Sequence, residues 1–291
     1  MHIGRVGIWS IALDAQPLHA AQDAVAELEE LGFPALWIPE AAGKEVMSHA
    51  ALLLATTGRM VVATGIANLW ARDATAMANG QRTLTEGFPD RFLLGIGVSH
   101  TLTVANRGHQ PTSPLQVTRD YLAAMDTATY AGPPPTTPLH RVLAALGPKM
   151  LTLAAELTEG AHTYTVPVEH TQFARGHLGP GPLLIPEQKV VLATEPSEAR
   201  RIARANIGRV IRLPNYANNL RRLGFTDNDL AERGSDRLID ALVAWGTIDD
   251  IARRVKEHLD AGADHVALQV LPADPTALPL HEWRELAALL D

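Results

Sequence analysis

The stretch GTIDDIARRVKEHLDAGADHVALQVL (residues 246–271) contains one complete structural unit. Thr247, followed three residues later by Asp250, is the reciprocal capping pattern that opens a helix. Ile251, Val255 and Leu259 recur every fourth residue on one face, and Gly262 supplies the stop. HVALQVL (265–271) then reads as a short, mostly apolar strand. Such a strand is buried on both faces, which is the mark of a parallel sheet covered by helices.

Moving outward, the same alternation recurs along the chain. IGRVGIWSI (3–11) is followed by a helical face of Leu18, Ala21, Val25, Leu28 and Leu31, closed by Gly32. ALWIPE (35–40), MVVATGIANL (60–69), FLLGIG (92–97), RVLAALG (141–147), GAHTYTV (160–166) and KVVLAT (189–194) continue the series, which HVALQVL completes. Eight strand–helix units predict an α/β fold, a closed (β/α)8 TIM barrel, with residues 1–291 as a single domain. An open, doubly wound sheet is the alternative arrangement of the same pattern.

The length of 291 residues suits one barrel, for which about 250 is typical. Hydrophobic residues make up 46% and charged residues 20%, a globular balance. A net charge of −7 with scattered Lys and Arg argues against gripping nucleic-acid phosphates. With no cysteine, disulfides and thiolate metal sites are excluded. MHIGRVGIWS begins as a strand rather than as a signal peptide, and no apolar run approaches the roughly 18 residues of a membrane helix. A cytoplasmic protein with no membrane partner is expected.

Two segments break the rhythm. GPPPTTP (132–138) is a stiff connection, since its prolines cannot sit inside a helix. Residues 206–245 form a helical excursion before the last unit, centred on RLPNYANNLRRLGF (212–225), and are a candidate lid.

In barrels the chemistry sits at the C-terminal strand ends. Those ends carry Glu40, GIANLW (65–70), GVSH (97–100) and GPK (147–149). Glycine opening a helix exposes backbone N–H groups to an anion such as phosphate. His-x-His and His-Glu-x-x-His are missing, so no metal is expected, and no Gly-x-Ser-x-Gly elbow presents a serine nucleophile. Of the four lysines (Lys44, Lys149, Lys189, Lys256), none reads as mid-strand, which disfavours a Schiff-base aldolase. A bound organic cofactor is left to carry the chemistry.

On ELGFPALWIPE, VVATGIANLWARDATAMA, DRFLLGIGVSH, LGPKMLTLAAELTEGAHTYTV and the C-terminal unit, the chain resembles the luciferase-like monooxygenase superfamily. The GIGVSH and LGPKML…EGAH blocks resemble its actinobacterial F420-dependent oxidoreductases. The resemblance implies hydride transfer between the deazaflavin F420 and an organic small-molecule substrate, and it suggests a homodimer. An FMN-dependent monooxygenase and a non-catalytic flavin or deazaflavin binder are the alternatives. By position it implies that Glu40 approaches the ring. Gly65 and Ile66 would form a cis peptide or bulge behind the ring. Gly97, Val98 and Ser99 would line it, and Gly147, Lys149 and Met150 would hold its phosphate, mainly through backbone N–H groups. The chain departs from the sugar-phosphate dehydrogenases of the family at Ala41, where they carry histidine, and at His100, where they carry a proton-donating glutamate.

His100 is therefore the candidate catalytic acid or base, with a purely structural hydrogen bond as the competing reading. Trp9, Trp70, His162, Tyr164, Tyr216 and Asn218 are the candidate substrate-pocket residues. Core packing competes for the aromatic ones.

Overall fold

A computed structural model describes residues 1–110, 112–274 and 276–290, and not the side chains of residues 101–103. The predicted alternation closes on itself. Strands β1 (Val6–Trp9), β2 (Ala35–Ile38), β3 (Val61–Thr64), β4 (Phe92–Gly97), β5 (His140–Ala144), β6 (Gly160–Thr163), β7 (Leu183–Val191) and β8 (Val266–Val270) pair in parallel with their sequence neighbours. Pairing of β8 with both β7 and β1 shuts the ring, so the eight-stranded barrel holds and the open sheet does not. The opening unit behaves as read: Thr247 and Asp250 cap each other at the start of helix Ile248–Asp260, and Gly262 follows its end with φ +102°.

Inside the ring, Trp9, Ala35, Trp37, Val61, Ala63, Leu93, Val142, Ile185 and Ala267 form the barrel core. Between the ring and its outer helices lies the larger apolar layer that includes Leu28, Leu53 and Leu151. Most strands are buried along their whole length, which is why they read as apolar runs without polar alternation.

Two sequence readings need correction. Strand β7 begins at Leu183, six residues before the predicted start at Lys189. Pro186, Glu187, Gln188 and Lys189 disguise it, because prolines and charged residues are rare inside a buried strand. Lys189 consequently lies within a strand and points inward, so the argument against an in-strand lysine fails. The second concerns the excursion. Helix Pro196–Ile207 precedes it, and helices Pro214–Arg222, Asp227–Leu230 and Asp236–Leu242 fill it. Short strand Val243–Trp245, which the sequence reading missed, then pairs with β7. A separate apolar cluster, with Ile207, Ile211, Leu220, Leu238 and Leu242, holds these helices together.

Candidate active site

The β3 end is built by an insertion. Ala63 pairs with Leu93, but the next pair is Ala67 with Ile96, so four steps on one strand meet three on the other. One extra residue at Gly65-Ile66 makes a bulge, as the resemblance implied. Every described peptide bond is trans, so the cis alternative at Gly65-Ile66 is not what this chain uses.

Glu40 braces that bulge. Its backbone N–H donates to the Ile66 carbonyl at 3.1 Å, and its carboxylate accepts from the Asn68 N–H at 2.7 Å. Both carboxylate oxygens also take Arg72 guanidinium bonds, one of them at 3.0 Å. The Glu40 side chain is 4% exposed and that of Arg72 12%. Burial works against the Arg72 charge, yet the two carboxylates Glu40 and Glu45 raise its pKa on balance. Arg72 and Asn68 were absent from the predicted site. The signal was a charged residue just past an apolar strand end.

Gly97 is glycine because Ile66 leans on it: a Cβ there would sit 2.5 Å from the Ile66 δ-methyl. The loop beyond is tied down by Trp70, whose indole N–H donates to the Val98 carbonyl at 3.1 Å. Ser99 follows with φ +59°, a left-handed conformation that non-glycine residues adopt mainly at constrained sites. Trp70 thus acts as a strut to the strand-four loop, beside His109, and does not share the barrel interior with Trp9.

From Ser99 the chain delivers His100 to an aromatic row. Trp9 lies 5.0 Å from Tyr164, Tyr164 lies 6.0 Å from Tyr216, and Tyr216 meets the His100 ring edge-on at 5.4 Å. Gly65 abuts the Trp9 indole nitrogen, and this buried N–H has no partner among the described residues. Burial lowers the His100 pKa, and its bond to Asn215 opposes the shift only in part. Nδ1 of His100 lies 3.1 Å from the Asn215 side-chain oxygen. An amide oxygen can only accept, so Nδ1 carries the proton and Nε2 keeps its lone pair.

His162 also points into the barrel, but it stacks on Trp37 at 4.7 Å and donates from Nδ1 to the Ile185 carbonyl at 2.9 Å. It is fully buried and its pKa is pushed down to about 4 by burial, so it is neutral packing next to the row rather than a member of it. Asn218 does not reach the site. Helical spacing puts Asn215 and Asn219 on one face, while Asn218 turns to solvent and accepts from Arg221 at 3.1 Å.

The β5 end differs from expectation in which groups it offers. Gly147 caps helix Pro148–Leu157, but Pro148 lacks an N–H, and the Met150 and Leu151 amides both go to the Gly147 carbonyl. Lys149, exposed, supplies the remaining amide of the first turn and a positive charge. The nearest atom to a Cβ on Gly147 would be the Arg222 guanidinium, at 3.9 Å. Arg222 comes from helix Pro214–Arg222, whose Asn219 takes one of its bonds at 2.9 Å and has a buried, unpartnered amide nitrogen. Positive side chains therefore outweigh backbone donors here. No local pattern pointed to Arg222.

Beside the aromatic row a cavity of about 70 Å3 is lined by Trp9, Ser10, Asn206, Gln269 and Trp283. A larger open groove of about 500 Å3 lies among Asp23, Glu27, Glu30 and Arg284 on the outer helices, away from every strand end. Among the described residues, no three His, Asp or Glu side chains gather as a metal site. Among the described residues no helix is long and apolar enough to cross a membrane.

Known proteins share the sequence pattern and the fold of this chain. The luciferase-like monooxygenase family matches residues 5–265. A Mycobacterium tuberculosis protein assigned as a coenzyme F420-dependent oxidoreductase is 27% identical over 98% of this chain and 97% of its own. An F420-dependent secondary alcohol dehydrogenase, solved with an F420–acetone adduct, superposes over 100% of both chains with a TM-score of 0.78 at 13% identity. The F420-dependent tetrahydromethanopterin reductase of Methanopyrus kandleri covers 98% of this chain, and 97% of its own is matched, with a TM-score of 0.77 at 16% identity.

Proposed function

The chain belongs to the luciferase-like monooxygenase family, and from that premise we propose that it is an F420-dependent oxidoreductase acting on a small organic substrate. The observation that carries this reading is the convergence at one barrel mouth of a bulge, an aromatic row and a cationic corner. The bulge at Gly65-Ile66 and the rings of Trp9 and Tyr164 suit a planar cofactor, and the unpartnered Trp9 N–H offers it a donor. Gly147, Lys149 and Arg222 suit its phosphate: the glycine leaves room, the Arg222 guanidinium faces it, and Lys149 adds a second positive charge two residues along. When bound, the deazaflavin supplies the acceptor or donor of a hydride.

His100 holds the proton side of the reaction. With Nδ1 committed to Asn215, Nε2 can take the hydroxyl proton of an alcohol as its carbon loses hydride, and return it in the reverse direction. A lowered pKa keeps the imidazole neutral, which favours the base role. A homodimer is included in the proposal, and no particular substrate is named.

Helix Pro214–Arg222 covers the aromatic row through Tyr216, so it would move aside for a ring to enter. Tyr216 and Asn215 on that helix rest on Tyr164 and His100, which fits the reading of residues 206–245 as a lid.

Titration with F420 and with FMN, followed by tryptophan fluorescence, tests the cofactor. Tighter binding of F420 is expected; tighter FMN binding would return the monooxygenase alternative, and binding without turnover across alcohols and reducible carbonyls would favour a non-catalytic binder. Arg222→Gln is expected to weaken F420 by about 10–30-fold, the scale of a charge-assisted phosphate contact of roughly 1.5–2 kcal/mol. Unchanged affinity would place the phosphate elsewhere.

A further inference from the structure

The barrel interior holds a charge pair that the proposed chemistry does not use. Lys189 Nζ lies 2.7 Å from Glu187 Oε2, with the two side chains 2% and 0% exposed. Such pairs are poor stabilisers, because apolar residues of the same volume serve folding as well or better. Something other than stability has to account for this one.

Its contacts converge on one turn. Lys189 Nζ also donates to Thr165 Oγ1 at 2.9 Å and sits 3.9 Å from the centre of the Tyr164 ring. The Thr165 backbone N–H donates to the same Glu187 oxygen at 3.0 Å. Thr165 has φ +56°, a left-handed conformation that a β-branched residue adopts only when its surroundings impose it. The residue just before it, Tyr164, carries its ring to Trp9 and Tyr216 and donates its hydroxyl to Gln269 at 3.0 Å.

We propose that Glu187 and Lys189 form a positioning clamp that holds Thr165 in its left-handed turn and thereby fixes Tyr164 as one wall of the ring-binding slot. Glu187 grips the backbone of the turn, Lys189 grips its side chain, and the ammonium faces the Tyr164 ring from below as a cation–π contact. The clamp rests on the reading that this slot receives a planar ring. Its geometric half, the control of Tyr164, stands apart from any ligand.

The test is the paired variant Glu187→Gln/Lys189→Met, which removes both charges at nearly constant volume. With only four tyrosines in the chain, ring-13C tyrosine NMR resolves each, and Tyr164→Phe identifies the signal of interest. The pair variant is expected to melt within about 3 °C of the parent, as for other neutralised buried pairs. Its Tyr164 signal is expected to shift and broaden, and its F420 affinity to fall about tenfold through lost preorganisation. An unmoved Tyr164 signal overturns the clamp, and so does a melting point lowered by much more, which would make the pair structural. Should the pair variant not fold, Glu187→Asp, which keeps both charges but draws the carboxylate back from the Thr165 N–H, is followed by the same signal: a shifted and broadened Tyr164 resonance supports the clamp, and an unmoved one overturns it. If the parent binds no F420, the cofactor reading fails, while the Tyr164 signal still decides the clamp.

Discussion

Arg72→Met is expected to destabilise the protein by roughly 3 kcal/mol, at the low end of the range for removing one partner of a buried ion pair. The cost comes from Glu40. Its carboxylate, 4% exposed, would keep only the Asn68 N–H and would have to stay charged without a counter-ion or take up a proton. Arg72 is 12% exposed and also reaches Glu45, which is why the low end applies. For a chain of this size the melting temperature should drop by roughly 6–10 °C. Denaturant unfolding measures the loss directly. Adding Glu40→Gln should restore more than half of it, because the stranded charge is then gone; no restoration would mean that Arg72 acts through packing. A loss below about 1 kcal/mol would reduce the contact to an ordinary surface ion pair.

His100→Gln is expected to lower turnover by roughly 10²-fold or more, the scale of losing a general acid or base, while F420 affinity stays within a few-fold. Glutamine retains a side chain that can reach Asn215 but has no group that titrates near neutrality. The pH dependence follows from the direction of the shift. Burial lowers the pKa of His100 from its ordinary 6.5, so the neutral base persists to more acid pH than for a solvent-exposed histidine. Alcohol oxidation should stay level as pH falls through 6.5 and decline only below it, and the decline should be absent in His100→Gln. An equal fall in cofactor affinity would instead assign His100 to loop shape. Unchanged turnover at every pH would remove the acid–base role and leave Tyr164, whose ring faces the same row.

How far the site was legible depends on the kind of signal. Gly97, Ser99, His100 and Gly147 announce themselves as breaks in local pattern at strand ends, and the structure does bring His100 to Trp9, Tyr164 and Tyr216 by way of the row. Trp70, His162 and Asn218 were equally visible as residue types, but the structure gives them a strut, an interior stack and a solvent-facing position. Residue type and strand position say that a side chain is near a mouth; they do not say which way it turns.

Closure of the parallel sheet into a barrel was decided by the pairing of β8 with β7 and β1, whereas periodicity and punctuation along the sequence determined the strand–helix alternation, the capped helix at Thr247 and the glycine-ended strands. These are set by neighbours within a turn or two, where 3.6-residue spacing, capping hydrogen bonds and two-faced burial act directly. Tertiary structure alone decided that Arg72 would hold Glu40, that Arg222 would face Gly147 from a distant helix, and that Lys189 and Glu187 would meet Thr165 inside the ring. Those contacts join residues far apart in the chain, and their distances follow from how the strands stagger when the barrel closes. Charged residues in a strand look like surface until closure places them in a dry interior, where an unpaired charge is costly and each has to find its partner.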